Sequence, residues 1–173
     1  MIGIEKYSSE WPKKYELESK KIKATLEYGI KDIQHSGSTS IPGMFAKPLI
    51  DIGILVDSIE NIDIFVQKLK PLGYVYRPDM SSVERIFLRK GDPVEYHLSI
   101  SSSKYTFWKR QIVFRDYLRK HPAYVEEYNT LKLKNLEGTP DGDFLDLSQS
   151  KTYNQGKGDF VDKILKLAEI EGM

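Results

Sequence analysis

Apolar residues recur along this chain with two periods. Between Leu49 and Val56 they alternate, so that Ile50, Ile52, Ile54 and Val56 fall on one face of a strand and Leu49, Asp51, Gly53 and Leu55 on the other. The first face is core. The second carries a carboxylate among apolar neighbours, which is expensive to bury alone, so it is expected to open on water, a cation or a hydrogen-bonded cleft. Val83 to Arg89 and Val94 to Ile100 alternate in the same way around Lys90-Gly91-Asp92-Pro93. They predict an antiparallel pair whose second strand holds Glu95, His97 and Ser99 on one face. Short strands are expected through Ile33 and over Tyr74-Val75-Tyr76.

Elsewhere the period is helical. Trp11, Tyr15, Ile22 and Leu26 share one face, behind the cap candidates Ser8 and Ser9 and before Gly29. Ser58 to Leu69 repeats the pattern with Ile59, Ile62, Phe65, Val66 and Leu69, and Pro71 and Gly73 stop it. From Tyr105 to His121 and from Pro122 to Leu136 two more helices are predicted, followed by a loop over Glu137 to Gln149 with a turn around Phe144-Leu145. A last helix is expected from Ser150 to Ile170. Gly156 lies inside it and costs about 1 kcal/mol relative to Ala, which points to close packing or close ligand approach. The order predicts an α+β fold in one domain spanning 1–173, with a mixed-sheet core over about 1–103 and a helical part over about 104–173.

Composition narrows the functional classes. Of 173 residues, 26 are basic and 25 acidic, so the net charge of +1 gives no bulk electrostatic case for nucleic acid. The chain has no cysteine, which excludes a disulfide framework, a thiolate zinc site and a cysteine nucleophile. No stretch approaches the roughly 20 apolar residues that cross a bilayer, and the first residues do not read as a signal peptide. A cytoplasmic protein without membrane association is expected.

Asp51 leads the candidate chemistry. The turn Gly37-Ser38-Thr39-Ser40 precedes its strand; glycine lets the backbone come close to a ligand, and successive N–H groups can cradle a phosphate. Lys47 adds positive charge at the strand mouth, and Arg85 and Lys157 are further phosphate-clamp candidates. Glu95 and His97 reach the same cleft as Asp51 if their strand lies beside it, as an extra metal ligand or base. His35, Asp51 and His97 form a weaker transition-metal set without ligand spacing. The bland alternative is that the glycines serve tight turns, the hydroxyls satisfy backbone groups and Asp51 pairs with Lys47 or an arginine.

Taken together, the motifs closely resemble the GrpB family. They are Tyr7 and Trp11-Pro12, the run His35 to Gly43, Ala46-Lys47-Pro48-Leu49-Ile50-Asp51, Arg85, Tyr96-His97-Leu98, Arg115 to Arg119 with His121-Pro122, Tyr128, Leu131-Lys132, Tyr153 and Gly156-Lys157. The resemblance implies a nucleotidyltransferase-like mixed β-sheet core followed by helices. The expected activity is metal-dependent transfer of a nucleotidyl or related phosphoryl group to a small acceptor, with magnesium or another divalent metal at Asp51 and Glu95 or His97 as an additional ligand or base. The expected partner is a nucleotide or phosphorylated metabolite. Relatives fused to dephospho-CoA kinase add a protein partner and a folding-assisting role as an alternative. One departure matters: active nucleotidyltransferases carry Asp-x-Asp on this strand, and here the second position is Gly53. A lone carboxylate makes a poor two-metal site, so a non-catalytic nucleotide-binding module is the competing expectation.

Overall fold

Strands and helices form where the two apolar periods place them. The computed structural model describes residues 3–27, 29–139 and 151–173. Helix α1 (Glu10–Leu26) leads into β1 (Ile30–Ser36), a single 3-10 turn over Ser38–Ser40, and β2 (Ile50–Val56). Helix α2 (Ile62–Leu69), β3 (Val75–Tyr76), β4 (Arg85–Lys90) and β5 (Tyr96–Ser102) follow. The chain then turns helical: α3 (Phe107–Lys120), α4 (Pro122–Glu137), α5 (Lys151–Asn154) and α6 (Lys157–Ile170).

The five strands form one mixed sheet in the order β1-β2-β5-β4-β3. Only β2 and β5 run parallel, and their register sets Asp51 opposite His97 and Gly53 opposite Ser99. One face of this sheet is greasy. Ile50, Ile52, Ile54, Val56, Leu98 and Ile100 pack there with Trp11, Ile22 and Leu26 of α1 and Leu69 of α2. The opposite face carries Asp51, Gly53, His97 and Ser99, and α3 covers part of it: Trp108 packs on Gly53, and Arg115 bonds the Gln34 side chain.

A second core lies among the C-terminal helices, where Tyr117, Leu118, Val125, Tyr128, Phe160, Ile164 and Ala168 meet Ile41 and Met44. Those last two belong to the loop between β1 and β2, and both are fully buried. Burying each contributes about 1.5–3 kcal/mol, enough to seat the loop on the helices. The site is built on that loop.

Several boundaries differ from the sequence expectation. The β4–β5 pair begins at Arg85 rather than Val83, which is 79% exposed; Ser82 and Arg85 pair with each other in a tight bridge that turns the chain first. β5 runs on to Ser102 because Ser101 and Ser102 pair with Leu55 and Val56 of the parallel neighbour. α2 starts at Ile62 rather than Ser58, where the Ser58 hydroxyl accepts the Glu60 N–H and holds a local turn instead. The expected last helix is broken: Gly156 has φ +70, a left-handed conformation that ends one segment and caps the next. The turn expected at Phe144-Leu145 lies outside the described residues. Among the described residues no helix is long and apolar enough to cross a membrane.

Candidate functional site

The loop after β1 is shaped by its own hydrogen bonds. Gly37 takes φ +65, and a Cβ there would overlap the Asp51 carboxylate, so only glycine lets the loop backbone lie against that side chain. The Gly37 carbonyl accepts the Ser40 hydroxyl at 2.6 Å and the Ser40 N–H at 3.2 Å, closing the turn. The Thr39 hydroxyl donates to the Leu49 carbonyl at 3.1 Å, so the 3.0 Å contact from His35 Nε2 is a donation from the ring. Thr39 thereby ties the two ends of the loop together. Ser38 alone turns its hydroxyl toward α4, where the Lys132 ammonium meets it at 3.0 Å.

Asp51 is about one-third exposed and accepts at Oδ1 from Nδ1 of His97 at 3.2 Å. The His97 ring packs edge-on to Phe87 at 4.9 Å. In the neutral ring, an Nδ1–H engaged by the carboxylate leaves the lone pair on Nε2. This pairing follows from the parallel β2–β5 register.

Three lysines complete the cleft. Ser38, Lys47, Asp51, His97, Lys132 and Lys157 line a cavity of about 250 Å³, with Tyr128, Tyr153 and Asn154 among the remaining walls. Lys132 comes from α4 and is 2% exposed; it donates to the Phe45 carbonyl at 2.6 Å and lies 4.5 Å from the Tyr128 ring centre. Burial, and secondarily Lys157, push its ammonium down to about 7. Lys157 is half-buried over the Tyr153 ring, donates to Asn154 Oδ1 at 3.3 Å, and is likewise pushed down to about 7 by burial and by Lys47.

The expected site residues are therefore only partly brought together. Asp51, His97, Ser38, Thr39, Lys47 and Lys157 line one cleft, and Gly37 lies against Asp51. Glu95 does not join them. It precedes β5, its backbone bridges Lys90 and Ile50, and its side chain is exposed away from the lining. Arg85 is also outside the lining: its guanidinium lies 4.9 Å from the Phe87 and Phe107 ring centres and donates to the Met80 carbonyl at 3.0 Å. Burial lowers its pKa while the field of Asp51 raises it, so it contributes charge at a distance. His35 points to the other face of the sheet, stacked on Tyr15 at 4.9 Å, and cannot ligate a metal together with Asp51 and His97.

The expected magnesium site does not fit these residues. A Cβ at Gly53 would fall 2.8 Å from Cζ3 of Trp108, so the indole fills the space that a second carboxylate on this strand needs. Among the described residues no three His, Asp or Glu side chains cluster as metal ligands, so Asp51, Glu95 and His97 do not form the expected set.

Lys132 lines the cleft but is absent from the site candidates that the sequence offers. The signal was present in α4, where Val125, Tyr128 and Lys132 follow helical spacing and set a lysine in line with the apolar stripe.

The family model described as GrpB protein matches residues 1–167. The UPF0157 protein YqkA of Bacillus subtilis is 33% identical over 161 residues; the match takes in 92% of this chain but 45% of that protein, so the chain spans less than half of that relative's length. The crystal structure of the conserved protein GrpB from Enterococcus faecalis superimposes with a TM-score of 0.82 at 30% identity, covering 96% of each chain. The Cid1 poly(U) polymerase superimposes with a TM-score of 0.53 at 14% identity, over 76% of this chain and 43% of the polymerase, and shows the fold to be nucleotidyltransferase-like. Family model, curated relative and solved structure agree along nearly the whole sequence, and the chain belongs to the GrpB family.

Proposed function

We propose that the cleft binds a nucleotide or another phosphorylated metabolite. The observation that carries this reading is Lys132, a cation buried at the cleft wall and joined to the Ser38 hydroxyl, with Lys47 and Lys157 lining the same space. Three lysines against the one carboxylate of Asp51 among the described lining residues leave an excess of positive charge in a small, partly dry cavity, which calls for an anion, and a phosphate offers several acceptor oxygens to separate donors. The test is a thermal-shift panel of nucleoside triphosphates and phosphorylated metabolites against the purified chain. A ligand at 100 times its Kd adds about 2.7 kcal/mol of stability, a readily measured rise in Tm. No shift with any phosphorylated compound refutes the reading.

Transfer of a nucleotidyl or phosphoryl group to a small acceptor is a second reading of the same site, favoured by the Asp51–His97 contact. Asp51 holds the ring so that Nε2 can take the proton of an acceptor hydroxyl. The hydroxyl oxygen then bonds to phosphorus as the bond from phosphorus to the leaving phosphate breaks, and a lysine ammonium hands the leaving group a proton. On this reading His97→Gln abolishes turnover of the ligand found above and leaves its binding within about threefold. Turnover that survives the substitution rules the role out.

A further inference from the structure

A phosphate in this cleft needs counter-charge, and two sources are chemically available: a divalent cation or the lysines. The cation is poorly provided for. Magnesium sites rest on carboxylates and demand near-octahedral oxygen ligands, whereas among the described residues the cleft lining holds one carboxylate, Asp51, already shared with His97. The strand position two residues on is closed by Trp108.

The lysines come from three separate parts of the fold, the loop before β2, α4 and the start of α6, and they feel one another's charge: Lys157 depresses Lys132, and Lys47 depresses Lys157. Among the described residues neither Lys132 nor Lys157 has a carboxylate within ion-pair distance. Lys132 is buried and Lys157 half-buried, and the desolvation and mutual repulsion of this pair carry a penalty that an anion relieves.

We infer that Lys47, Lys132 and Lys157 take the place of a divalent cation, so that the cleft holds a phosphate monoester or pyrophosphate group directly by its lysines and without metal. This rests on the phosphorylated-ligand reading and specifies its chemistry. The phosphate end of the ligand lies against Lys132 and Lys157, and the Asp51–His97 pair is left to face the rest of the molecule. Because both ammonium groups are half-deprotonated near neutral pH, binding above that range draws protons from solution.

Calorimetric titration of the full chain with inorganic pyrophosphate, and separately with a nucleoside triphosphate, tests the inference. Each titration is run with chelator and with magnesium, at pH 8, in two buffers of different ionisation enthalpy. The expected result is binding in chelator at least as tight as in magnesium, net proton uptake, and at least a tenfold loss of affinity in Lys157→Met. Lys157 is the first choice because it is only half-buried and its replacement spares the Ser38 and Phe45 contacts; Lys132→Met is the second variant. Binding that appears only with magnesium overturns the inference and leaves the phosphorylated-ligand reading standing. Chelator-resistant binding that neither lysine substitution weakens also overturns it. Failure of both probes in both conditions overturns it as well, and the wider thermal-shift panel then decides whether the broader reading falls too.

Discussion

His35 and His97 stand on the two strands that flank β2, and their surroundings give them different work. His97 keeps a carboxylate partner and a place on the cleft. His35 is buried against Tyr15, and burial, offset in part by Asp51, pushes its pKa down to about 4 from 6.5. It is therefore neutral in the native state and must gain a charge in acid. The unfolded chain binds that proton first, so the native state loses stability as pH falls from 6.5 to 4, by up to about 3 kcal/mol. In His35→Gln this component is absent: urea midpoints at pH 7, 5.5 and 4.5 fall less steeply than for the parent, and parallel curves count against the assignment. At this scale strand alternation made Asp51 and His97 legible, because a period of two is strict. Glu95 has the same parity but precedes the strand, and parity carries no information about where a strand begins. Lys132 was overlooked for the opposite reason: it is in line with the apolar stripe of α4, but a lysine is ordinarily read as a solvated charge, and here it is buried.

Among the elements, the break between α5 and α6 shows what periodicity conceals. Tyr153, Phe160 and Ile164 keep helical spacing across Gly156, so the pattern reads as one helix, while the glycine itself has φ +70. The break turns Lys157 back over the Tyr153 ring and into the cleft. In Gly156→Ala the new Cβ meets only Leu131 Cδ1 at 3.7 Å, an ordinary contact, so the cost is conformational, about 1–2 kcal/mol. At about 2–4 °C per kcal/mol for a chain of this size, Tm falls by several degrees. Pyrophosphate affinity falls with it, because Lys157 loses its fixed direction. A variant with unchanged Tm shows that the left-handed conformation is not required. The parallel pairing of β2 with β5 was only conditional in the sequence. Its partners lie more than forty residues apart, and local patterns do not specify which strands become neighbours.

Across the whole molecule, the cleft depends on two cores held together through the loop between β1 and β2. That loop sends Ile41 and Met44 into the helical core while its flanking strands belong to the sheet. Side chains from α3 and α4 satisfy the backbone of this segment: Arg115 bonds the His35 carbonyl at 2.8 Å, Arg119 the Ser40 carbonyl at 2.6 Å, and Lys132 the Phe45 carbonyl. Asn129 accepts the Phe45 N–H at 2.8 Å and donates to the Gly43 carbonyl at 2.9 Å, reading the loop as a backbone strand would. These contacts were illegible in the sequence, because the partners of Arg115, Arg119 and Asn129 are backbone groups some eighty residues away. Asn129→Ala removes two such bonds at a buried position, each worth about 1 kcal/mol net, so stability falls by about 2 kcal/mol. Asn129 does not line the cleft, yet it fixes the loop that carries Ser38 and leads to Lys47. Pyrophosphate affinity is therefore expected to drop severalfold in this variant at a temperature where it remains folded. Unfolding followed by tryptophan fluorescence samples Trp11 in the sheet core and Trp108 at the sheet–helix contact, while far-UV dichroism samples the helices. Coincident transitions in the parent that separate in Asn129→Ala identify the loop as the joint between the cores. A variant that loses stability but keeps both its affinity and a single transition shows instead that the arginines and the buried Ile41 and Met44 suffice to hold the cleft.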